Sequence, residues 1–457
     1  MDCLSWIVES MSFSAKSVGR RKRGTIEMDS SATKRGAEAE ENGENAAKKV
    51  KMEAEVQSLD SGNPSLVQGE VDRGISRRRG KRLKYAMLLS YSGRAYYGMQ
   101  IQKEVELPTI EQHILDVLLD LRLIDDKDRG KPKLFWFQRA ARTDKGVSAI
   151  RQVCSMMLPL REGARGANGG RRGGEAEDGQ KSGRSEEQEG DEDYSLTTLA
   201  DAMNARLPDD IRVIGIRRTT RTFDAKKACE SRTYAYTLPS YAFTRRDEDP
   251  TNFRISEERL REVNEIFSMY EGTHNYFNFT CRRSATDASC KRYIIRCQAG
   301  QPFVRDGIEF MCVHLTGQSF MLHQIRKMIG LCIAIVRGYT DRTAIERAWE
   351  PIRFDVPIAP SLGLVLDEVH YDYYNKRFAQ THEPLDWTEF EDKIKAFREK
   401  YIDSVIVEME KKESIMLKWL ATLNCHDFNG TTPTASVAVS TKTGHDDDDT
   451  EIGDESD

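Results

Sequence analysis

Apolar and polar positions first alternate cleanly at 83–91, where Leu83, Tyr85, Met87, Leu89 and Tyr91 are separated by Lys84, Ala86, Leu88 and Ser90. A period of two is that of a strand, and order is expected to begin here. At Pro108 the period changes. Thr109 and Gln112 stand in capping-box spacing, and Ile110, Ile114, Leu115, Val117, Leu118 and Leu121 form one helical stripe. Strands are predicted at Lys133–Gln138 and Gln152–Leu158 around a polar loop, Arg139–Ala149. A helix at Ser195–Leu207 and strands at Ile211–Arg218 and Arg232–Leu238 follow. Next comes a helix at Ser256–Tyr270, with Ser256 as cap and Leu260, Val263, Ile266 and Phe267 inside. Strands at Tyr293–Cys297 and Glu309–Gly317, a long helix at Gln318–Arg337 and a strand at Leu364–His370 complete the pattern. The order strand–helix–strand–strand–helix–strand occurs twice. The expected fold is therefore α+β: two ferredoxin-like (RRM-like) halves forming one extended antiparallel sheet with helices on one face.

Three stretches lack such patterning. Residues 1–80 are rich in Ala, Glu, Lys and Ser. Residues 161–193 hold nine glycines and no Leu, Ile, Val, Met or aromatic residue, and residues 424–457 end in an acidic run. The expected organisation is an N-terminal tail (1–80), an N-terminal half with the polar loop (81–222) interrupted by the insertion 161–193, a C-terminal half (223–380), a helical extension (381–423) and an acidic tail (424–457). This division changes the meaning of the charge. The whole chain carries 69 basic and 74 acidic residues, net −5, whereas the residues outside the three stretches carry 48 and 42. The part able to fold is mildly basic, which permits a nucleic-acid partner. Nine cysteines without a C-x-x-C pair suggest neither a zinc site nor a disulfide framework. The longest apolar run, near residue 330, is too short to span a bilayer. The order of charged and apolar residues at the start is wrong for a secretory signal. Arg20–Arg23, Lys48–Lys51 and Arg77–Lys84 are short basic clusters of the kind that serve nuclear import or RNA contact.

The candidate chemistry lies in Arg139-Ala-Ala-Arg-Thr-Asp-Lys-Gly-Val-Ser-Ala149. Asp144 stands between Arg142 and Lys145, whose charges favour its ionised form, and Gly146 permits a tight turn. Taken alone, this loop is also what a surface turn with a local ion pair looks like.

The segment resembles the catalytic motif of the TruA-type tRNA pseudouridine synthases, R-A-x-R-T-D-K-G-V-x-A. Four further stretches are similar to the same family and stand in its order: Tyr91-Ser-Gly-Arg-Ala-Tyr-Tyr-Gly-Met-Gln100, Arg232-Thr-Tyr-Ala-Tyr236, Gly317–Gly330 and Ala359-Pro-Ser-Leu-Gly-Leu-Val-Leu366. The resemblance spans about residues 83–375. Ala141, Ser148 and Leu322 depart from bacterial members. With Gly272–Thr280 and His382–Trp387 they look like the eukaryotic multisite branch, so site choice in bacterial members does not transfer.

The resemblance implies the pseudouridine synthase fold and a redox-neutral isomerisation of uridine in tRNA without metal or organic cofactor. Asp144 falls on the catalytic carboxylate, with nucleophilic attack and proton abstraction left open. Arg326 falls on the arginine that pairs with it. Tyr234 falls on the tyrosine that stacks on uracil, and Arg142 on the arginine that enters the RNA where the base leaves. His274 and His323 are read as structural or RNA-contacting, not catalytic. Messenger and small nuclear RNA are left open as further substrates. The oligomeric state is left open with a lean towards monomer. The expected compartment is the nucleus, with the mitochondrion as the competing reading. An RNA-binding protein that had lost catalysis would lack the acid at 144 or the arginine at 326. A glycoside hydrolase would need a second carboxylate near the first.

Overall fold

The computed structural model describes residues 82–102, 107–160 and 194–428, all within the unit Arg77–Asp457. The strands are β1 (Leu83–Tyr91), β2 (Gln138–Arg139), β3 (Ser148–Leu158), β4 (Ile211–Arg218), β5 (Ser231–Pro239), β6 (Gly272–Asn275), β7 (Lys291–Ala299), β8 (Phe303–Arg305), β9 (Ile308–Gly317) and β10 (Leu364–His370). The helices are α1 (Ile110–Asp120), α2 (Asp126–Gly130), α3 (Leu196–Asn204), α4 (Glu257–Ser268), α5 (Gln324–Val336), α6 (Thr343–Trp349), α7 (Asp372–Phe378), α8 (Glu391–Arg398), α9 (Ser404–Glu413) and α10 (Ile415–Leu420). The caps read from sequence at Thr109 and Ser256 are formed, and Ser195 adds a third. Thr109, Ser195 and Ser256 each accept from the backbone N–H three residues on.

All ten strands join one sheet, ordered β4-β1-β3-β10-β5-β9-β7-β6, with β2 beside β3 and β8 beside β9. It is antiparallel except where β10 runs parallel to β3, pairing Val365 with Ser148 and Leu366 with Ala149. That corrects the expectation of an antiparallel sheet. β10 is the return strand after α5 and enters antiparallel to β5, which leaves it aligned with β3. Nothing in a hydrophobic period encodes the relative direction of strands so far apart.

Two predicted elements are different. Lys133–Gln138 is not a strand. Pro132 opens a 3-10 turn to Phe135, Trp136 takes a left-handed backbone, and only Gln138–Arg139 pair with β3. Proline at the first position suits such a turn and supplies no ladder N–H. The helix predicted over Gln318–Arg337 begins only at Gln324. Gln324 donates its backbone N–H to Met321 O and accepts from Met321 N through Oε1, while His323 has φ 63. Arg326 therefore stands in the first turn of α5, and Leu322 lies outside the helix.

Both alternating sets of β1 are buried. The C-terminal extension packs on the set carrying Ala86 and Leu88. Arg151 donates to Glu391 at 2.6 Å, Arg217 pairs with Glu389, Arg398 meets Asp367 at 2.9 Å, and Phe390 lies against Gly215. Order continues past the expected boundary at 423 to Phe428, which is buried and whose carbonyl accepts from Arg347 at 3.1 Å. Among the described residues no helix is long and apolar enough to cross a membrane.

The basic cluster read at Arg77–Lys84 is in part structural. Arg82 pairs with the buried Asp128, and Lys84 is buried, donating from Nζ to Trp136 O at 2.7 Å. Both belong to the fold rather than to a tail. The other two clusters lie outside the described residues. Burial lowers the Lys84 amine from 10.5 to about 8, with Asp224 opposing. Below that value the amine is charged in both folded and unfolded chains, and its burial opposes folding. Between about 8 and 10.5 the unfolded chain holds a proton that the folded one has released, so stability rises with pH. The urea midpoint of the native protein should therefore gain on that of Lys84→Met between about pH 7.5 and 9.5. A constant gap would show that the amine is not desolvated.

Candidate active site

The loop bearing Asp144 joins β2 to β3 and is braced at both ends. At its start, the buried Gln152 side chain donates to Ala141 O at 2.7 Å and accepts from Ala141 N at 3.2 Å. Arg232, opening β5, donates to Ala140 O at 2.8 Å and to Gln318 O at 2.6 Å. One guanidinium thus ties this loop to the segment preceding α5. Next to the aspartate, Thr143 is buried and its hydroxyl meets Tyr91 Oη at 2.8 Å. Beyond it, Val147 N donates to Asp144 O at 3.1 Å and Gly146 N to Tyr96 O at 3.3 Å.

The opening motif is the cradle for this loop, which explains its two glycines. Gly98 has φ +91, its neighbour Met99 donates to Thr143 O at 3.0 Å, and a Cβ on Gly98 would lie 2.7 Å from that same oxygen. A Cβ on Gly93 would lie 2.2 Å from Val147 O. Gly98→Ala is expected to destabilise the fold by about 1–3 kcal/mol through backbone strain and to lower turnover by displacing Thr143 and its neighbour Asp144. Urea melts and initial rates check this; a variant as stable and active as the native protein would show that the loop does not rest there.

Asp144 is half-buried, Arg142 and Lys145 are exposed, and the Lys145 ammonium sits 4.3 Å from the Tyr97 ring centroid. Tyr234, on β5, is buried, with Phe320 edge-on at 5.2 Å. Burial pushes its phenol well above the usual range, Arg232 pulls it down, and Asp144 adds to the rise. The phenol therefore stays protonated within the field of the Asp144 carboxylate. Phe320 was not singled out from sequence, although it lies within the Gly317–Gly330 motif.

Arg326 is tied to the segment 359–363. Its Nε donates to Ala359 O at 2.6 Å while Ala359 N donates to Arg326 O at 3.1 Å. Tyr236 Oη donates to Pro360 O at 2.7 Å. Ser361 then lies against Gly146, where an added Cβ would be 3.2 Å from its Oγ. Three residues of one short segment thus connect the arginine's helix, the tyrosine strand and the turn after Asp144. Arg142, two residues before Asp144, is exposed.

The two histidines make contacts within the fold. His274 stacks on Trp349 at 3.7 Å, its Nε2 2.9 Å from Glu271 O. Asn278 of the same stretch donates to Ile352 O at 2.8 Å and Ala348 O at 3.1 Å and accepts from Phe354 N at 3.1 Å. His323 supplies the left-handed residue before α5.

Asp144 is thus a half-buried carboxylate within electrostatic reach of the buried Tyr234 phenol, in a cradle built from widely separated motifs. Residues 266–372 match the family described as tRNA pseudouridine synthase. The chain is 40% identical to the Pseudouridylate synthase 1 homolog of Mus musculus, over 80% of this chain and 79% of that protein. It is 39% identical to the human Pseudouridylate synthase 1 homolog, over 76% and 75%. It is 27% identical to tRNA pseudouridine synthase 1 of Candida albicans, over 77% and 67%. The chain belongs to the tRNA pseudouridine synthase family.

Proposed function

We propose that this chain isomerises uridine to pseudouridine in tRNA, with Asp144 as the catalytic carboxylate. The observation that carries this is the position of Asp144: fixed on both sides by backbone bonds and electrostatically coupled to the buried Tyr234. In the reaction the C1′–N1 bond breaks, the uracil turns while held, C1′ bonds to C5, the C5 proton leaves and N1 gains a proton. Asp144 acts at the ribose, by attack on C1′ or by taking a proton from C2′. Tyr234 offers its ring for stacking and a protonated hydroxyl for the C5 step. Arg326 pairs with Asp144 and orients it, supported by the bridge through Ala359 to Ser361. Arg142 fills the gap left by the extruded base. Release of tritium from 5-³H-uridine in transcribed tRNA tests the reading; a folded protein that releases none would sink it.

The same reading includes two ferredoxin-like halves. The strand orders β4-β1-β3-β2 and β10-β5-β9-β7 support this, each being the 4-1-3-2 order of such a unit. It also includes a monomer, tested by light scattering, and a nuclear enzyme. A fluorescent fusion of the full chain beside one lacking 1–80 tests the latter; an unchanged distribution would overturn import through those residues.

A further inference from the structure

Before the catalytic loop, residues 127–136 make a surface that the isomerisation does not use. Lys127, Lys131, Lys133 and Leu134 are exposed, and Trp136 is 55% exposed. The neighbouring Phe135 and Phe137 are buried, so the chain is anchored on both sides of an indole that faces outward. The backbone of Trp136 is left-handed, with φ 56, where bulky side chains are rare. It is held there by three bonds. Trp136 N donates to Lys133 O at 3.2 Å, Phe137 N donates to Pro132 O at 3.1 Å, and the buried Lys84 donates to Trp136 O. A strained residue and a buried amine together display one aromatic ring.

Along 125–136 the exposed charges are Lys127, Lys131 and Lys133 against Asp125 and Asp126, an excess of one positive charge. Of the nearby acids, Asp128 is taken up by Arg82 and Asp116 by Arg129, and Asp125 accepts from Asp128 N at 2.9 Å; Asp126 is exposed. Trp136 precedes Asp144 by eight residues, a reach of at most about 28 Å along the chain. One folded RNA can touch both places.

We propose that Trp136, with Lys127 and Lys131, forms a second RNA-contact site, where an unpaired base stacks on the indole while the lysines hold its phosphates. It rests on the reading that the substrate is RNA. The exposed apolar area here is Trp136 with Leu134, and so small an area on a stretch with three exposed lysines fits a base better than a protein surface, which would ask for a broader apolar patch.

The full chain and its variants Trp136→Ala, Trp136→Phe and Lys127→Ala/Lys131→Ala are titrated with transcribed tRNA at several salt concentrations, with melting curves for each. Single-turnover tritium release is measured at saturating protein. Trp136→Ala should weaken binding roughly five- to hundredfold, the range for losing one stacked base. Trp136→Phe should recover most of it, and the saturated rate should not change. The double lysine variant should flatten the salt dependence by about one to two in log–log slope. Binding by Trp136→Ala within twofold of the native protein overturns the proposal, as does a phenylalanine variant as weak as the alanine one. Absence of tritium release by the native chain counts against the isomerase reading alone, because the binding comparison still decides this one.

Discussion

Asp144→Asn is expected to leave a folded, RNA-binding protein whose turnover falls by roughly 10³-fold or more, the scale on which removing a covalent or proton-transferring group acts. The substitution keeps the shape of the side chain and removes its charge. The bonds described about the loop use main-chain atoms and the side chains of Tyr91, Thr143, Gln152 and Arg232, so the cradle should survive. RNA affinity should stay within a few-fold, since phosphate contacts come from other residues. The decisive measurement pairs single-turnover tritium release with a binding titration. Activity above a few per cent of native in the folded variant would remove Asp144 from the chemistry.

Arg326→Lys is expected to lower turnover by roughly 10²-fold with little change in RNA affinity. Lysine keeps the positive charge. It has neither the fork that orients a carboxylate nor an Nε placed to donate to Ala359 O while the remaining nitrogens turn elsewhere. The two functions separate experimentally. Loss of the Ala359 bond alone would lower the melting temperature and leave the saturated rate near native. Loss of the carboxylate partner lowers the saturated rate in a protein that melts nearly as before. A native-like rate would show that Arg326 is not the partner of Asp144.

What the sequence made legible follows the reach of each signal. Strand and helix periods are local, and β4 and β10 begin and end where their alternation does. Caps are equally local, and Thr109 and Ser256 both close as the sequence implies. The failures come where one residue redirects the backbone. Trp136 and His323 are both left-handed, and neither is a glycine or an asparagine that would have announced it. At the site, Asp144 and Tyr234 are singled out by a resemblance; their residue types alone do not mark them. The work of Arg232 and Ser361 was not legible at all. Both act through main-chain oxygens or contacts of the fold, and no pattern of side-chain types marks a carbonyl as a partner.

The parallel junction of β3 and β10 has a consequence for how the molecule is made. Arg151 bonds to Asp367 O across a separation of 216 residues. On a ribosome adding roughly 5–20 residues per second, the strand that follows Asp144 waits about 10–40 s for its partner. During that wait the Ser148–Ala149 end of β3, beyond the stretch that β2 covers, is an unpaired template. Nascent chains halted between 160 and 360 should therefore hold the catalytic sequence without a catalytic site, and be the species most in need of a chaperone.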